Sequence, residues 1–181
     1  KILKNINFQI LFVDDNSTDG TIDKVNKFKE KYDNIELIVR IGRRGLSGAC
    51  IEGIQNAKSN YVAIIDCDLQ HDEKLLLKML QSFEKEELLD LVIGSRHVEE
   101  GDSQKGLSYL RNLGSQYAIR MTQKLLKIKI NDPMSGFFMA KKSSLVPLLS
   151  KLQPNGFKIL ADILATSKGD LLTKELGYEF K

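Results

Sequence analysis

The chain has 181 residues, of which 42% are hydrophobic and 28% are charged, a composition typical of one globular domain with a sizeable core. The formal net charge of +3 is too small to indicate nucleic-acid binding, and no apolar run approaches the ~20 residues that a membrane-spanning helix needs. The two cysteines, Cys50 and Cys67, have no metal-ligand spacing and favour a reduced compartment over a disulfide framework.

Strands and helices are predicted to alternate along the chain. Apolar runs rich in strand formers predict strands at 8–13, 35–39, 61–65, 90–94 and 136–141. Apolar residues at helical spacing predict helices after the first three strands, then at about 108–128 and 157–167. Asp72 or His71 is expected to cap the helix that follows the third strand. This order predicts an α/β fold, with a mainly parallel sheet covered by helices on both faces.

Polar side chains follow four of these strands at the point where each strand ends. They are Asp14 and Asp15 after the first strand, Arg40 after the second, Asp66 and Asp68 after the third, and Ser95 and Arg96 after the fourth. Ligands of parallel sheets bind beyond the carboxyl ends of the strands. We therefore expect one crevice to collect these side chains.

The segment DCDLQHDE, residues 66–73, places two carboxylates directly after a buried strand. Asp66 and Asp68 can both reach one hard cation, and Mg²⁺ or Mn²⁺ would relieve their repulsion while leaving positions for a diphosphate. Gln70 offers a further amide oxygen in the same place. The alternative is a surface loop with two solvated aspartates, but aspartate is more typical of a ligand-binding strand end than of a strand.

The earlier segment VDDNSTDGT, residues 13–21, has two interpretations that both remain open. Its Asn, Ser, Thr and Asp residues are good helix caps, which accounts for about half of the segment. Capping does not explain two carboxylates, Asp14 and Asp15, at the mouth of the expected crevice. A carboxylate there could accept hydrogen bonds from a nucleobase edge or from ribose hydroxyls.

Several segments in chain order resemble family 2 glycosyltransferases of the GT-A fold. Within that family they are most similar to the dolichyl-phosphate mannosyltransferases and undecaprenyl-phosphate sugar synthases. The segments are VDDNSTDGT, RRGLSGACIEGI, DCDLQHDE, VIGSR, NDPMSGFFMAKK, GFKILADIL and KELGYEF. The family usually begins with a strand that is lacking here and has prolines where Asp72 and Glu73 stand. We therefore expect one catalytic domain over residues 1–181, truncated at both ends.

The resemblance implies roles for individual residues. The nucleotide-sugar would contact Asp14, Asp15, Ser17, Arg44, Asp66 and Asp68. The metal ion, Mg²⁺ or Mn²⁺, would be held by Asp66, Asp68 and Gln70, and the acceptor phosphate by Arg96, Arg111 and Ser135. The catalytic residues would be Asp68, Asp132 and Arg96. For Arg96 the alternative is a surface ion pair with Glu99 or Glu100, and for His71 helix capping is favoured over a direct role.

The reaction implied is the inverting transfer of a sugar from a GDP-mannose- or UDP-glucose-like donor to a dolichyl or undecaprenyl phosphate. Catalysis would take place in the cytosol, at the cytoplasmic face of a membrane. Six basic residues and no acidic residue lie between Asp102 and Asp132, which favours a membrane surface as partner. A core-packing helix with a solvated basic face is the alternative, and a homo-oligomer is left open.

Three other functions compete with this one. The run VAIIDCDL also resembles the nucleophile strand of haloacid-dehalogenase-like phosphatases, but Gln70 stands where those enzymes usually have threonine. A nucleotidyltransferase would want a glycine-rich phosphate loop, which the sequence lacks. A domain that binds nucleotide without turnover is the non-enzymatic alternative.

Overall fold

The structure, a computed structural model, describes residues 6–96 and 130–178. Its strands are β1 (Ile10–Asp14), β2 (Ile35–Val39), β3 (Tyr61–Ile64), β4 (Leu91–Ser95), β5 (Phe138–Lys141) and β6 (Thr173–Gly177). Its α-helices are α1 (Thr21–Lys29), α2 (Leu46–Asn56), α3 (Leu75–Lys85), α4 (Lys142–Leu145) and α5 (Ile159–Thr166), and a 3₁₀ turn spans Leu149–Lys151.

The strands form two groups. β1 and β2 pair in parallel, and the other four strands form a sheet in the order β3-β5-β4-β6. β4 and β6 are parallel, whereas β5 runs antiparallel to both β3 and β4. The α/β fold class is confirmed, with β5 as the departure from a parallel arrangement. Hydrophobic periodicity reports which face of a strand is buried but carries no information about strand direction.

Both faces of the four-stranded sheet are covered by helices, as predicted. Along β4, Leu91 and Ile93 belong to one apolar cluster and Val92 to another, because successive side chains of a strand point to opposite faces. Helices α2 and α5 contribute to the first cluster, and α3 contributes to the second. All five residues of β4 are buried, which is typical of a central strand with helices on both sides.

The start of α3 differs from the expectation. The helix begins at Leu75, because Asp72 makes a turn in which its carbonyl accepts from Leu75 N at 3.0 Å and its Oδ1 accepts from Lys74 N at 3.1 Å. His71 caps nothing, since its ring is buried and bonds to Tyr178. The predicted helix at 108–128, with Arg111, lies outside the described residues. Within the described ranges, no helix has the length and apolar character needed to cross a membrane.

Candidate active site

The turn after β1 is built by its own side chains. Asp14 accepts from Ser17 N at 2.6 Å through Oδ1 and from Ser17 Oγ at 2.8 Å through Oδ2. Asp19 Oδ1 accepts from both the backbone N–H and the hydroxyl of Thr21, and these bonds lower the pKa of Asp19. Turn formation therefore occupies Asp14 and Ser17, and their predicted contact with a nucleotide-sugar stays a prediction.

Asp15 joins the ends of β1 and β2 to the start of α2. Its Oδ1 accepts from Arg40 Nη1 at 2.7 Å, and its Oδ2 accepts from Gly45 N at 2.8 Å. Arg40, only 4% exposed, also donates to Gly45 O at 3.1 Å. A Cβ added at Gly48 would lie 2.7 Å from Arg40 Nη2 and 2.9 Å from the backbone oxygen of Pro154, so the helix has no room for a side chain at this position.

Arg40 is one of the site residues that were not predicted from the sequence. It was recognised only as a polar strand end, and a buried arginine has no signature in a single sequence. Arg44, which was predicted to contact the nucleotide-sugar, is exposed, and its neighbour Arg43 pairs with Glu52 at 2.8 Å. Contact between Arg44 and the nucleotide-sugar stays a prediction.

The carboxylate pair follows β3 as expected. Asp68 and Gln70 are exposed, and Asp68 Oδ1 accepts from Gln70 N at 3.1 Å. Leu69 between them has a φ of 64° and an exposed fraction of 89%, so the segment turns sharply there. Asp66 is half-buried and lies against the backbone of Gly136, where an added Cβ would be 2.9 Å from its Cγ.

A buried aromatic cluster lies behind the carboxylate pair. His71 Nδ1 is 2.6 Å from the Tyr178 hydroxyl, and its Nε2 is 3.8 Å from Asp66 Oδ2. Phe137 packs against both rings, with centroid distances of 5.3 Å to His71 and 5.8 Å to Tyr178. His71 and Tyr178 are two residues of the site that sequence reasoning missed. Their partnership spans 107 positions, which no local pattern reveals.

Arg96 and Asp132 form a two-pronged ion pair at the end of β4. Arg96 Nε donates to Asp132 Oδ2 at 2.8 Å and Nη2 donates to Oδ1 at 3.0 Å, while Asp132 is fully buried. The hydrogen bond to Asp132 raises the pKa of Arg96. Asp132 N in turn donates to Glu175 Oε1 at 2.9 Å. Ser135 is buried and its hydroxyl donates to Gly94 O at 2.7 Å, so its predicted phosphate contact stays a prediction.

Tyr178 links the carboxylate pair to the end of β4. Its N–H donates to Ser95 O at 3.3 Å, and its hydroxyl contacts His71, which lies 3.8 Å from Asp66. Burial raises the pKa of Tyr178, which is also affected by Arg96, Asp132, Asp68 and Asp66. Burial and, to a smaller extent, the charge of Asp66 raise the pKa of Cys50 to about 11, with Arg40 opposing the rise. β3 and β4 both run antiparallel to β5, so the carboxylate pair and Arg96 follow strand ends at the same edge of the sheet.

The sequence matches a known protein family. The model for "Glycosyl transferase family 2" matches residues 2–148, which is most of the chain. The chain belongs to glycosyl transferase family 2. Membership in this family removes the support for the phosphatase interpretation of the VAIIDCDL segment.

Curated members of the family provide a finer comparison. The chain is 36% identical over 168 residues to "Dolichol-phosphate mannosyltransferase" of Pyrococcus furiosus, covering 92% of this chain and 46% of that protein. It is 34% identical over 158 residues to the protein of the same name from Saccharomyces cerevisiae, covering 87% of this chain and 57% of that one. The chain therefore spans about half the length of the curated relatives it matches.

Solved structures of more distant sequence share the fold. Glucosyl-3-phosphoglycerate synthase of Mycobacterium tuberculosis matches with a TM-score of 0.68 at 15% identity, over 96% of this chain and 61% of that one. The same enzyme crystallised with Mn²⁺, UDP and glucosyl-3-phosphoglycerate matches with a TM-score of 0.65 at 16% identity, over 95% and 59% of the two chains. These likenesses confirm the GT-A fold of this family 2 domain.

The donor atoms of the carboxylate pair suit a hard divalent cation. Asp66 and Asp68 supply carboxylate oxygens, and Gln70 adds an amide oxygen on the same exposed turn. Among residues 6–96 and 130–178, no group of three or more His, Cys, Asp or Glu side chains could hold a metal ion. A pair still fits Mg²⁺ or Mn²⁺, which is commonly bound by one or two carboxylates together with substrate phosphates.

Proposed function

We propose that the protein containing this domain transfers a hexose from a nucleotide-activated donor to the phosphate of a polyprenyl lipid, with inversion at the anomeric carbon. GDP-mannose is the favoured donor, because the relatives at 32–36% identity are named dolichol-phosphate mannosyltransferases. UDP-glucose is the second donor to test. The activity is proposed for the whole protein, since the chain spans about half of those relatives.

One observation carries the proposal: the half-buried Asp66 and the exposed Asp68 follow β3 at the same edge of the sheet at which the Arg96–Asp132 pair follows β4. Acidic oxygens and a guanidinium are thereby brought to the same side of the sheet. The acids suit a cation bound to the donor's diphosphate, and the guanidinium suits the acceptor's phosphate. This is the charge arrangement that a transfer between two phosphate-bearing substrates needs.

On the donor side, the chain's own residues would bind and orient the nucleotide. Asp66, Asp68 and Gln70 would hold Mg²⁺ or Mn²⁺, which when bound would neutralise charge that develops on the departing diphosphate. Asp15 is held by Arg40 and Gly45, so its carboxylate is fixed before a nucleoside arrives. A carboxylate fixed in this way can accept hydrogen bonds from a base or a ribose without further loss of rotamer freedom.

On the acceptor side, Arg96 would attract and align the lipid phosphate. Its guanidinium donates two hydrogen bonds to the Asp132 carboxylate, so the planar fork keeps one orientation. A phosphomonoester has a second pKa near ~6 and is already anionic at neutral pH, so its oxygen can attack without a dedicated general base. The roles of Arg111 and Ser135 at this phosphate are part of the same proposal.

A polyprenyl acceptor requires the active site to work at a membrane surface, and we place the domain on the cytoplasmic face. The support is the sequence between Asp102 and Asp132, which carries Lys105, Arg111, Arg120, Lys124, Lys127 and Lys129 and no acidic residue. Each lysine or arginine close to an anionic leaflet contributes about 1 kcal/mol of attraction. Binding of the full-length protein to vesicles with and without anionic lipid tests this placement.

The experiment is a donor panel with the full-length protein, short polyprenyl phosphate and Mn²⁺ or Mg²⁺. We expect product from one donor, and we expect Asp68→Asn to abolish it while the thermal unfolding transition stays at its original temperature. Asp33→Asn is the matched control, because Asp33 is an exposed carboxylate just before β2, at the opposite end of that strand from Arg40. Nucleotide binding without transfer from any donor would instead support a non-catalytic domain, and full activity in Asp68→Asn would refute the mechanism.

A further inference from the structure

We propose that His71 and Tyr178 are positioning residues for Asp66, and that they hold its carboxylate in the orientation in which it binds the divalent cation. The inference rests on the proposed function and deepens it, since it concerns residues behind the metal-binding pair. Its evidence is a chain of contacts that runs from the end of β6 through a buried histidine to the carboxylate.

The Asp66 carboxylate packs against the polypeptide backbone. In the antiparallel pairing of β3 and β5, Ile64 lies opposite Phe138, and the same register continued by two residues places Asp66 opposite Gly136. An added Cβ at Gly136 would overlap Oδ2 of Asp66 and lie 2.9 Å from Cγ and 3.3 Å from Oδ1. The φ of Gly136 is not positive, so this glycine is needed for space and not for backbone conformation.

The imidazole of His71 makes a second contact with the same carboxylate oxygen. Its Nε2 lies 3.8 Å from Oδ2, the oxygen that also faces Gly136. This distance exceeds a hydrogen bond, so the contact is electrostatic and steric. The carboxylate has less room to rotate because Oδ2 contacts both the backbone of Gly136 and the buried ring of His71.

Tyr178 determines how the imidazole is held. Its hydroxyl is 2.6 Å from His71 Nδ1, and its own backbone N–H donates to Ser95 O at 3.3 Å, which anchors it to the end of β4. When the hydroxyl donates to Nδ1, the ring proton lies on Nε2 and faces the Asp66 carboxylate. Histidines and carboxylates in metal sites are commonly oriented by such outer hydrogen bonds.

Core packing alone does not account for this pair. His71 and Tyr178 are 8% and 4% exposed, and both rings pack against Phe137, which belongs with Tyr178 to an apolar cluster. Burying an imidazole and a hydroxyl costs free energy that a phenyl ring would not, even when the two are hydrogen-bonded. The cost is understandable if the polar pair acts on the Asp66 carboxylate, which lies 3.8 Å from His71 Nε2.

The test measures Mn²⁺ affinity by electron paramagnetic resonance on the full-length protein with saturating GDP or UDP, separately from transfer. We expect His71→Ala to weaken Mn²⁺ binding about tenfold and Tyr178→Phe about threefold to tenfold. His71→Gln, which keeps an N–H donor near the position of Nε2, should lose less Mn²⁺ affinity than His71→Ala. Nucleotide affinity without metal should stay unchanged in all three, and Tyr61→Phe, at the opposite end of β3, is the matched control.

Two different results would overturn the inference, and they are distinguishable. If Asp68→Asn loses Mn²⁺ binding while His71→Ala and Tyr178→Phe stay within twofold of the parent, the positioning role is wrong and the proposed function stands. If Asp68→Asn keeps both Mn²⁺ binding and transfer, the proposed function fails and this inference fails with it. Tyr178→Phe removes one oxygen and keeps the ring, so it reports on positioning even if His71→Ala lowers stability.

Discussion

The contact between Gly136 and Asp66 supports a sharp prediction for the Gly136→Ala protein. The new methyl group would occupy the space of Asp66 Oδ2 and would lie 2.9 Å from Cγ, closer than side-chain carbons normally approach. The neighbour on that side is the carboxylate itself, and its carbon must also retreat. We therefore expect the whole carboxyl group to move by about 1 Å, with the strands keeping their pairing.

A displacement of this size is large compared with metal coordination. Oxygen ligands of Mg²⁺ lie at about 2.0–2.1 Å and tolerate little departure from octahedral geometry. A misplacement of about 1 Å in a reacting group costs about a hundredfold in rate. We expect Gly136→Ala to lose about a hundredfold in transfer, and to lose about 1–3 kcal/mol of unfolding free energy through overpacking.

The assay compares Gly136→Ala with Gly53→Ala, which adds the same methyl group within α2. That Cβ would lie 3.3 Å from Val13 Cγ2, a side-chain methyl that can shift, and touches no carboxylate. Transfer rate, Mn²⁺ affinity and urea unfolding are measured on both full-length proteins. If Gly136→Ala bound Mn²⁺ and transferred sugar as the parent does, the close packing of Asp66 against Gly136 would be irrelevant to catalysis.

Three further changes test other parts of the site. Asp132→Asn should lower the unfolding free energy by about 2 kcal/mol in a urea titration, because the buried acceptor of the Arg96 bonds loses its charge. Arg40→Lys should weaken metal-free nucleoside diphosphate binding about tenfold by calorimetry, since an ammonium cannot bridge Asp15 and Gly45, whereas Arg43→Lys should not. The raised pKa of Cys50 means that folding stability is intact below pH 9.0 and falls as the pH rises through about 11. In Cys50→Ala, the loss of unfolding free energy over this pH range should be smaller by about 2–3 kcal/mol. An unchanged dependence of unfolding free energy on pH would contradict the raised pKa of Cys50.

Much of the fold was predictable because its elements have strong local patterns. The run LVIG at the centre of β4 is apolar throughout, and β2 was predicted at its observed bounds, Ile35–Val39. Strand β6, TKELG, was missed because it has three consecutive polar residues and a single leucine, and its strand conformation depends on pairing with β4. Strand propensity of this kind depends on neighbours, which a sequence window does not contain.

The site residues that could be predicted also have a local sequence signal, and the others do not. Asp66 and Asp68 were found because carboxylates after an apolar strand stand out locally, and Asp15 because it lies in an acidic turn. Arg40, His71 and Tyr178 were not assigned, since their importance arises from partners that are distant in the chain. Their burial is the informative feature, and burial of a polar side chain becomes visible only in three dimensions.

The position of β5 has a consequence for how the chain is made. β5 lies between β3 and β4 in the sheet, yet residues 96–137 separate it from the end of β4. Until the ribosome has released β5, the neighbouring edges of β3 and β4 have no native partner, and open strand edges invite association with other chains. Late closure of this kind is also slow. We expect the nascent N-terminal half to depend on chaperones and to acquire its affinity for cations only after β5 has been inserted.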